Sequence, residues 1–302
     1  MTLSIILPAK NEAASLGTLA PKLRAFYPDA EILVVNDGST DATVQTAEAA
    51  GLATTSHPYS MGNGAAIKTG ARLAKGDVLV FMDADGQHDP TDIERLLAKM
   101  DEGYEMVVGA RSLDTHASTL RRIANTLFNR FASYMTSHPI DDLTSGFRAV
   151  RARHFRKFLY LLPNRFSYPT TITVSFIRSG LPIAYLPIRA ANRTGKSHIR
   201  PLTDGLRFLV IISKIGALFS PMRLFLPVSA GFFMLGLVHY GYTYITAHRF
   251  TNMSALLFIA SILTFLMGIV SEQIASLHYL GVDSDVRRTV RDGQAQNQRL
   301  DR

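Results

Sequence analysis

Asp83-Ala84-Asp85 sets two carboxylates one residue apart, at the end of an apolar run from Val78 to Met82 that follows Gly76-Asp77. The run reads as a buried strand. Carboxylates at a strand's C-terminal end can hold a divalent cation and the diphosphate it bridges, and oxygen ligands of this kind suit Mg²⁺ or Mn²⁺. Gln87 and His88 follow at once. An Asp pair is also ordinary turn composition, so the neighbouring elements decide between the two.

Those elements alternate. Leu3 to Leu7 is an apolar run closed by Pro8, and Lys10-Asn11-Glu12 opens an amphipathic helix to about Phe26. Glu31 to Val35 is a second strand, followed by the polar turn Asn36-Asp37-Gly38-Ser39-Thr40-Asp41, which can cap the next helix. Gly62-Asn63-Gly64 starts a further helix; it could cradle a phosphate at that helix N-terminus or serve backbone geometry alone. Successive strand ends thus carry Pro8 and Glu12, then Asp37, then Asp83 and Asp85. In an open α/β sheet, ligands bind in the crevice outside the strands' carboxyl ends.

Charge divides the 302-residue chain. Residues 1–110 carry a net charge of −7, residues 111–223 carry +14, and residues 224–302 carry +1. The acidic part holds the Asp pair, and the basic part leads into an apolar region. There is no Cys, which excludes a disulfide framework and thiol catalysis and fits a reducing compartment. No leader segment is expected before the first strand. The basic part could attract nucleic acid, but no nucleic-acid motif accompanies it, and the adjoining apolar region favours anionic lipid headgroups.

The segments "ILPAKNEAASL", "ILVVNDGSTDAT", "GNGAAIKTGARLAKGDVLVFMDADGQHDP", "VVGARS" and "DLTSGFRAV" resemble, in order, the motifs of family 2 glycosyltransferases with the GT-A fold. The likeness is nearest to the polyprenyl-phosphate sugar transferases and covers about residues 3 to 215, with a second likeness in the C-terminal hairpin. It implies a Rossmann-like mixed α/β sheet and metal-dependent, inverting transfer of one sugar from a nucleotide-sugar donor, UDP- or GDP-linked, to a polyprenyl phosphate. By resemblance Asp85, with Gln87, holds Mg²⁺ or Mn²⁺. Asp37, Asp83 and Ala84 lie against the nucleoside and diphosphate, and Pro8, Lys10 and Glu12 wall the base and ribose. Glu12 alone would equally be a helix N-terminal charge stabilised by the dipole.

A lipid phosphate needs no general base, because its second pKa of about 6 leaves its oxygens anionic near neutrality. It needs cations instead, and Arg forks suit phosphate. Arg111 in "GARS" and Arg193 in "NRTGKSHIR" are the expected catalytic cations, and Lys196 is grouped with the donor. Arg122, Ser145, Arg148 and Arg200 are the expected acceptor-phosphate residues. A hydroxyl acceptor would need a base. Asp141 and Asp142 keep that alternative open, as does a plain turn-capping role for them. A processive polysaccharide synthase is disfavoured by the absence of Trp, since those relatives carry a Trp-containing QxxRW motif. A non-catalytic nucleotide-sugar binder is disfavoured by the intact Asp pair.

Leu224 to His248 and Phe250 to Ser271 contain no charged residue, and each is long enough to cross a hydrocarbon core of about 30 Å. Lys214, Arg223, Arg287, Arg288 and Arg291 flank this hairpin, against Arg249 alone between the spans. That bias places the catalytic domain and both termini in the cytoplasm. With the resemblance it implies a bacterial inner membrane. The expected organisation is a catalytic domain over 1–203, an amphipathic interfacial segment over 204–221, two spans within 222–281 (about 224–247 and 254–280) and a solvated tail over 282–302. Glu272, near the inner end of the second span, is a candidate functional or inter-subunit contact, and the hairpin could support a homo-oligomer.

Overall fold

The computed structural model describes residues 2–111, 119–164, 168–189 and 220–300, with side chains for all of these except 119–125, 127, 128 and 278–300. The chain divides into two units, Met1–Ile199 and Arg200–Arg302.

The first unit is built on one seven-stranded sheet. Its strands are β1 (Leu3–Ala9), β2 (Glu31–Asn36), β3 (Ala53–Ser56), β4 (Val78–Phe81), β5 (Met106–Arg111), β6 (Arg148–Arg151) and β7 (Ile183–Ile188). Their spatial order is β3-β2-β1-β4-β6-β5-β7. β1, β2, β3 and β4 pair in parallel, β5 pairs in parallel with β7, and β6 runs antiparallel between β4 and β5. β1, β2 and β4 are near-continuous runs of Ile, Leu, Val and Phe because both faces are covered, whereas the edge strand β3 is Ala-Thr-Thr-Ser and partly exposed.

The helices are α1 (Ala13–Phe26), α2 (Thr43–Ala49), α3 (Asn63–Leu73), α4 (Asp92–Asp101), α5 (Thr119–Thr136), α6 (Ala152–Lys157) and α7 (Tyr168–Arg178). Leu16, Leu19 and Leu23 of α1 and Ile93 and Leu96 of α4 form one cluster with Ile5, Leu7, Val34 and Val80. Strand alternation sends Ile6 and Val35 to the opposite face, where α3 rests on β1 and β2. Ile5, Ile6, Leu7, Val34, Val35, Val80 and Phe81 are fully buried. Each such side chain contributes about 1.5–3 kcal/mol relative to exposure.

The order of strands reverses between β1 and β4, which makes the crevice beyond their carboxyl ends the topological switch point. β6 runs the other way, so the turn that enters it, residues 142–147, reaches the same edge as the ends of β1, β2, β4 and β5.

The second unit is a helical hairpin of α8 (Pro221–Ala247) and α9 (Asn252–Leu300). Pro221–Ala247 has a mean hydropathy of 1.6 and Asn252–Leu277 of 2.4, and both are candidate membrane spans. The outward side chains are apolar and exposed, among them Leu235, Val238, Ile245, Leu256, Ile262 and Leu266. The hairpin is pinned by polar groups facing inward. The Ser229 hydroxyl donates to the Ser261 carbonyl at 2.9 Å, and the Ser261 hydroxyl returns a bond to the Ser229 carbonyl at 2.9 Å. Glu272 accepts a hydrogen bond from the Met222 N–H at 3.2 Å, setting a carboxylate against the N-terminus of α8. α9 continues as helix to Leu300, through the stretch expected to be a solvated tail. The segment 282–300 is rich in good helix formers and lacks Pro, so no residue forces a stop. Most of the amphipathic segment 204–221 lies outside the described residues.

Candidate functional site

Asp83 and Asp85 follow β4 and are half-buried, flanking the fully packed Met82 and Ala84. Anchoring Ala84 in the core fixes both neighbours at the sheet edge. The Gln87 N–H donates to Asp85 Oδ1 at 3.2 Å, folding the loop back on itself. His88 is buried and stacks on Phe147, with ring centroids 4.8 Å apart and planes at 16°. Burial pushes its pKa down to about 4, so the ring is neutral, and its Nδ1 has no hydrogen-bond partner. Gln87 and His88 also line a cleft with Lys22 and Arg189.

Asp37, at the end of β2, is nearly inaccessible and saturated. Its Oδ1 meets His57 Nδ1 at 2.9 Å and the Met61 N–H at 2.8 Å; its Oδ2 accepts from the Ser60 hydroxyl at 2.8 Å and the Gly62 N–H at 2.9 Å. Burial would raise its pKa, but these donors outweigh burial and hold it below the usual carboxylate range. His57 is fixed in turn by Thr69 Oγ1 at 2.9 Å. Asp37 therefore shapes the 57–62 loop ahead of α3. Lys10 Nζ joins this network through the Ser60 hydroxyl at 3.0 Å. Pro8 is the penultimate residue of β1, and Glu12 stands at the N-cap position of α1, where its carboxylate accepts from the Ser15 hydroxyl at 3.2 Å without bonding the helix backbone. Asn11, with a left-handed φ of 57°, ties the first two strand-end loops together: its N–H donates to Ser39 Oγ at 2.9 Å and its Oδ1 accepts from the Thr40 N–H at 2.8 Å.

On the other side of the Asp pair, Arg111 ends β5 and grips Asp142. Arg111 Nε lies 2.8 Å from Asp142 Oδ2, and Nη2 lies 3.1 Å from Oδ1 and 2.7 Å from Thr144 Oγ1. Asp142 Oδ1 also accepts from the N–H groups of Thr144 at 3.0 Å and Ser145 at 3.1 Å. Burial would raise the Asp142 pKa, yet the Arg111 hydrogen bonds and charge hold it below the usual range. Arg111 is itself raised: burial disfavours the cation, and Asp142 more than compensates.

Two expected acceptor residues change character. Arg148 was expected at an acceptor phosphate, but it is fully buried in β6. Its Nη1 donates to the Pro169 carbonyl at 3.2 Å and the Thr173 hydroxyl at 3.1 Å, Nη2 donates to the Ser145 carbonyl, and the guanidinium lies 5.7 Å from the Tyr168 ring centroid. The correction follows from strand position: β6 is central, so its inward side chain is enclosed by α7 and cannot meet an exposed phosphate. Ser145 is buried, with a hydroxyl that has no hydrogen-bond partner. Arg193, Lys196 and Arg200 lie outside the described residues, as does the side chain of Arg122 in α5.

The glycosyl transferase family 2 profile matches residues 4–159, more than half of the chain, and a GtrB C-terminal hairpin profile matches residues 220–277. The chain belongs to glycosyltransferase family 2. The transferase is 32% identical over 254 residues to the undecaprenyl-phosphate 4-deoxy-4-formamido-L-arabinose transferase of Pseudomonas fluorescens, covering 76% of this chain and 74% of that one. It is 30% identical over 206 residues to the polyprenol monophosphomannose synthase of Mycolicibacterium smegmatis, covering 63% and 77%. These relatives are polyprenyl-phosphate sugar transferases, and the hairpin match marks the transferase as membrane-associated. Its fold is that of glucosyl-3-phosphoglycerate synthase from Mycobacterium tuberculosis, solved with Mn²⁺, UDP and phosphoglyceric acid, at a TM-score of 0.57, 23% identity, and coverage of 71% of this chain and 77% of that one.

The donor set at the Asp pair suits a hard divalent cation. Asp83, Asp85 and the Gln87 carbonyl offer oxygen only, and the carboxylates are half-exposed at the crevice. Among the described residues no group of three or more His, Cys, Asp or Glu encloses an ion.

His57, Ser60, Asn11 and Tyr168 were not singled out in the sequence. His57 and Ser60 stand in the short polar stretch between β3 and Gly62, which was the available signal. Nothing local marks Asn11 or Tyr168, whose partners come from distant segments.

Proposed function

We propose that this transferase moves one hexose-type sugar from a UDP- or GDP-linked donor to a polyprenyl phosphate, with inversion, at the cytoplasmic face of a bacterial inner membrane. The observation that carries this reading is the locked state of Asp142. A hydroxyl acceptor needs a carboxylate free to take a proton. Asp142 is held by Arg111 at both oxygens and kept below the usual carboxylate range, which makes it a poor base. A phosphate acceptor needs no such group.

In the proposed reaction an acceptor phosphate oxygen attacks the anomeric carbon as the bond from that carbon to the donor diphosphate breaks. Both electrons leave with the diphosphate, and no proton has to move. Mg²⁺ or Mn²⁺ held by Asp85, with Gln87, would neutralise charge on the departing diphosphate. Asp83 lies beside Asp85 to orient the donor. The 57–62 loop fixed by Asp37, with Lys10 and Pro8, forms the wall for the nucleoside. Arg111, Arg193 and Lys196 are the cations proposed to meet the anionic reactants. Arg122 and Arg200 are proposed for the acceptor phosphate, and the buried Arg148 and Ser145 are withdrawn from it. α8 and α9 keep the enzyme beside its lipid substrate.

The test uses purified protein in detergent with Mn²⁺ or Mg²⁺, a short polyprenyl phosphate and a panel of radiolabelled UDP- and GDP-sugars. One donor should deliver label to an organic-extractable product released by mild acid. Label that resists mild acid in every case would replace the phosphate acceptor with a lipid hydroxyl.

A further inference from the structure

The register of β4 against β6 sets Phe81 opposite Arg148. Carried two residues past that pair, the same antiparallel register sets Gly146 opposite Asp83. The contact is close: a Cβ on Gly146 would stand 3.2 Å from Asp83 Oδ2, 3.6 Å from Oδ1 and 3.4 Å from the Tyr168 hydroxyl. A side chain at position 146 would therefore crowd the carboxylate, and the bare glycine leaves it that space.

The segment that makes this contact is clamped from three directions. The Tyr168 hydroxyl donates to the Gly146 carbonyl at 3.0 Å. Buried Arg148 donates to the Ser145 carbonyl, and is itself held by Pro169 and Thr173 of α7 at 3.2 and 3.1 Å. Asp142 receives the N–H groups of Thr144 and Ser145. Such a clamp makes a fixed surface of a turn that would otherwise give way.

We propose that Gly146 is a positioning residue: its bare backbone, clamped by Tyr168 and Arg148, is the backstop that sets the Asp83 carboxylate for metal–nucleotide binding. This explains why an arginine is buried here without facing the crevice, since its role is exerted through the turn. The inference rests on the proposed role of Asp83 at the donor site.

The test is binding of Mn²⁺ with UDP, and of Mn²⁺ with GDP, to the full-length protein in detergent. Calorimetry gives the affinity, the Mn²⁺ electron paramagnetic resonance signal gives bound metal, and thermal denaturation checks folding. G146A should bind whichever nucleotide the wild type binds about tenfold more weakly, the scale of effect expected from a small misplacement of a binding group. Tyr168→Phe, which frees the Gly146 carbonyl, should weaken binding roughly a few-fold. On an Asp83→Ala background G146A should cause no further loss, because no carboxylate remains to be displaced. Folded G146A that binds like the wild type overturns the inference, as does full additivity with Asp83→Ala. If G146A fails to fold, unchanged binding by Tyr168→Phe overturns it instead. Unchanged binding by Asp83→Ala alone would remove Asp83 from the donor site and contradict the proposed function itself.

Discussion

Two kinds of carboxylate meet at the same sheet edge. Asp37 and Asp142 are buried and saturated: Asp37 by donors from a loop that comes later in the chain, Asp142 by Arg111 at the end of β5 and by the N–H groups of its own turn. Asp83 and Asp85 stand half-exposed on a short loop fixed mainly by the buried Met82 and Ala84. The first kind orders backbone from inside the fold; the second stays half-exposed at the sheet edge. Residue type alone does not separate them, and burial does. The two organisers also differ from each other. The direct partners of Asp37 are a histidine, a hydroxyl and two backbone N–H groups, whereas Asp142 is paired with a full cation. The side of the crevice proposed for the donor has no full cation directly on its buried carboxylate. The opposite side is neutralised and leads into the basic half of the chain.

The largest expected effect sits on the exposed pair. Asp85→Ala should abolish turnover, by about a thousandfold or more, while the melting temperature and detergent extraction match the wild type. Retained full activity would break the distinction at its root. Asp37→Ala should act in the opposite manner. Four donors lose their acceptor, so stability should fall by about 2–4 kcal/mol, with weaker nucleotide binding following from a disordered 57–62 loop. A variant that melts like the wild type would return Asp37 to the class of exposed ligands.

Asp142→Asn separates charge from shape and brings pH into the comparison. The folded pKa of Asp142 lies below its unfolded value of about 3.9, so its stabilisation is complete above that value and is lost as pH falls through the lower, folded pKa. Denaturation from about pH 7 to about pH 3 should show the variant less stable by roughly 2 kcal/mol at neutrality, with the gap closing only below about pH 4. A gap that closes between about pH 5 and pH 7 would implicate a different group. The smallest effect belongs to the hairpin. Ser229→Ala with Ser261→Ala should lower hairpin stability by about 1 kcal/mol, read in detergent-resistant folding, with the catalytic constants unchanged.

Much of this site was legible because its residues fall at the ends of apolar runs. Val78 to Met82 read as a buried strand, which forms over Val78–Phe81, and with the neighbouring elements that brought Asp83 and Asp85 to a carboxyl edge. The two apolar stretches after Leu224 were equally plain in length and lack of charge. The partners of Asp37 and Arg148 were not readable, for a common reason. The donors to Asp37 lie 20 to 25 residues onward, in a loop whose path depends on α3 packing against β1 and β2. Arg148 sits in a strongly basic stretch, and charge counting treats every cation there as surface. The apolar neighbours Phe147, Ala149 and Val150 were the sign that it lies inside a strand. Nothing local in the sequence shows what Gly146 faces; the β4–β6 register reveals it.

The central claim is that the acceptor is an anion that brings no proton to remove. The direct measurement offers equal concentrations of a short polyprenyl phosphate and the matching polyprenol to the purified enzyme, with Mn²⁺ and the donor it accepts, and compares initial rates. Transfer confined to the phosphate, with a product released by mild acid, is the predicted result. Faster transfer to the free alcohol would contradict it, and would require a base that the Arg111–Asp142 pair does not provide.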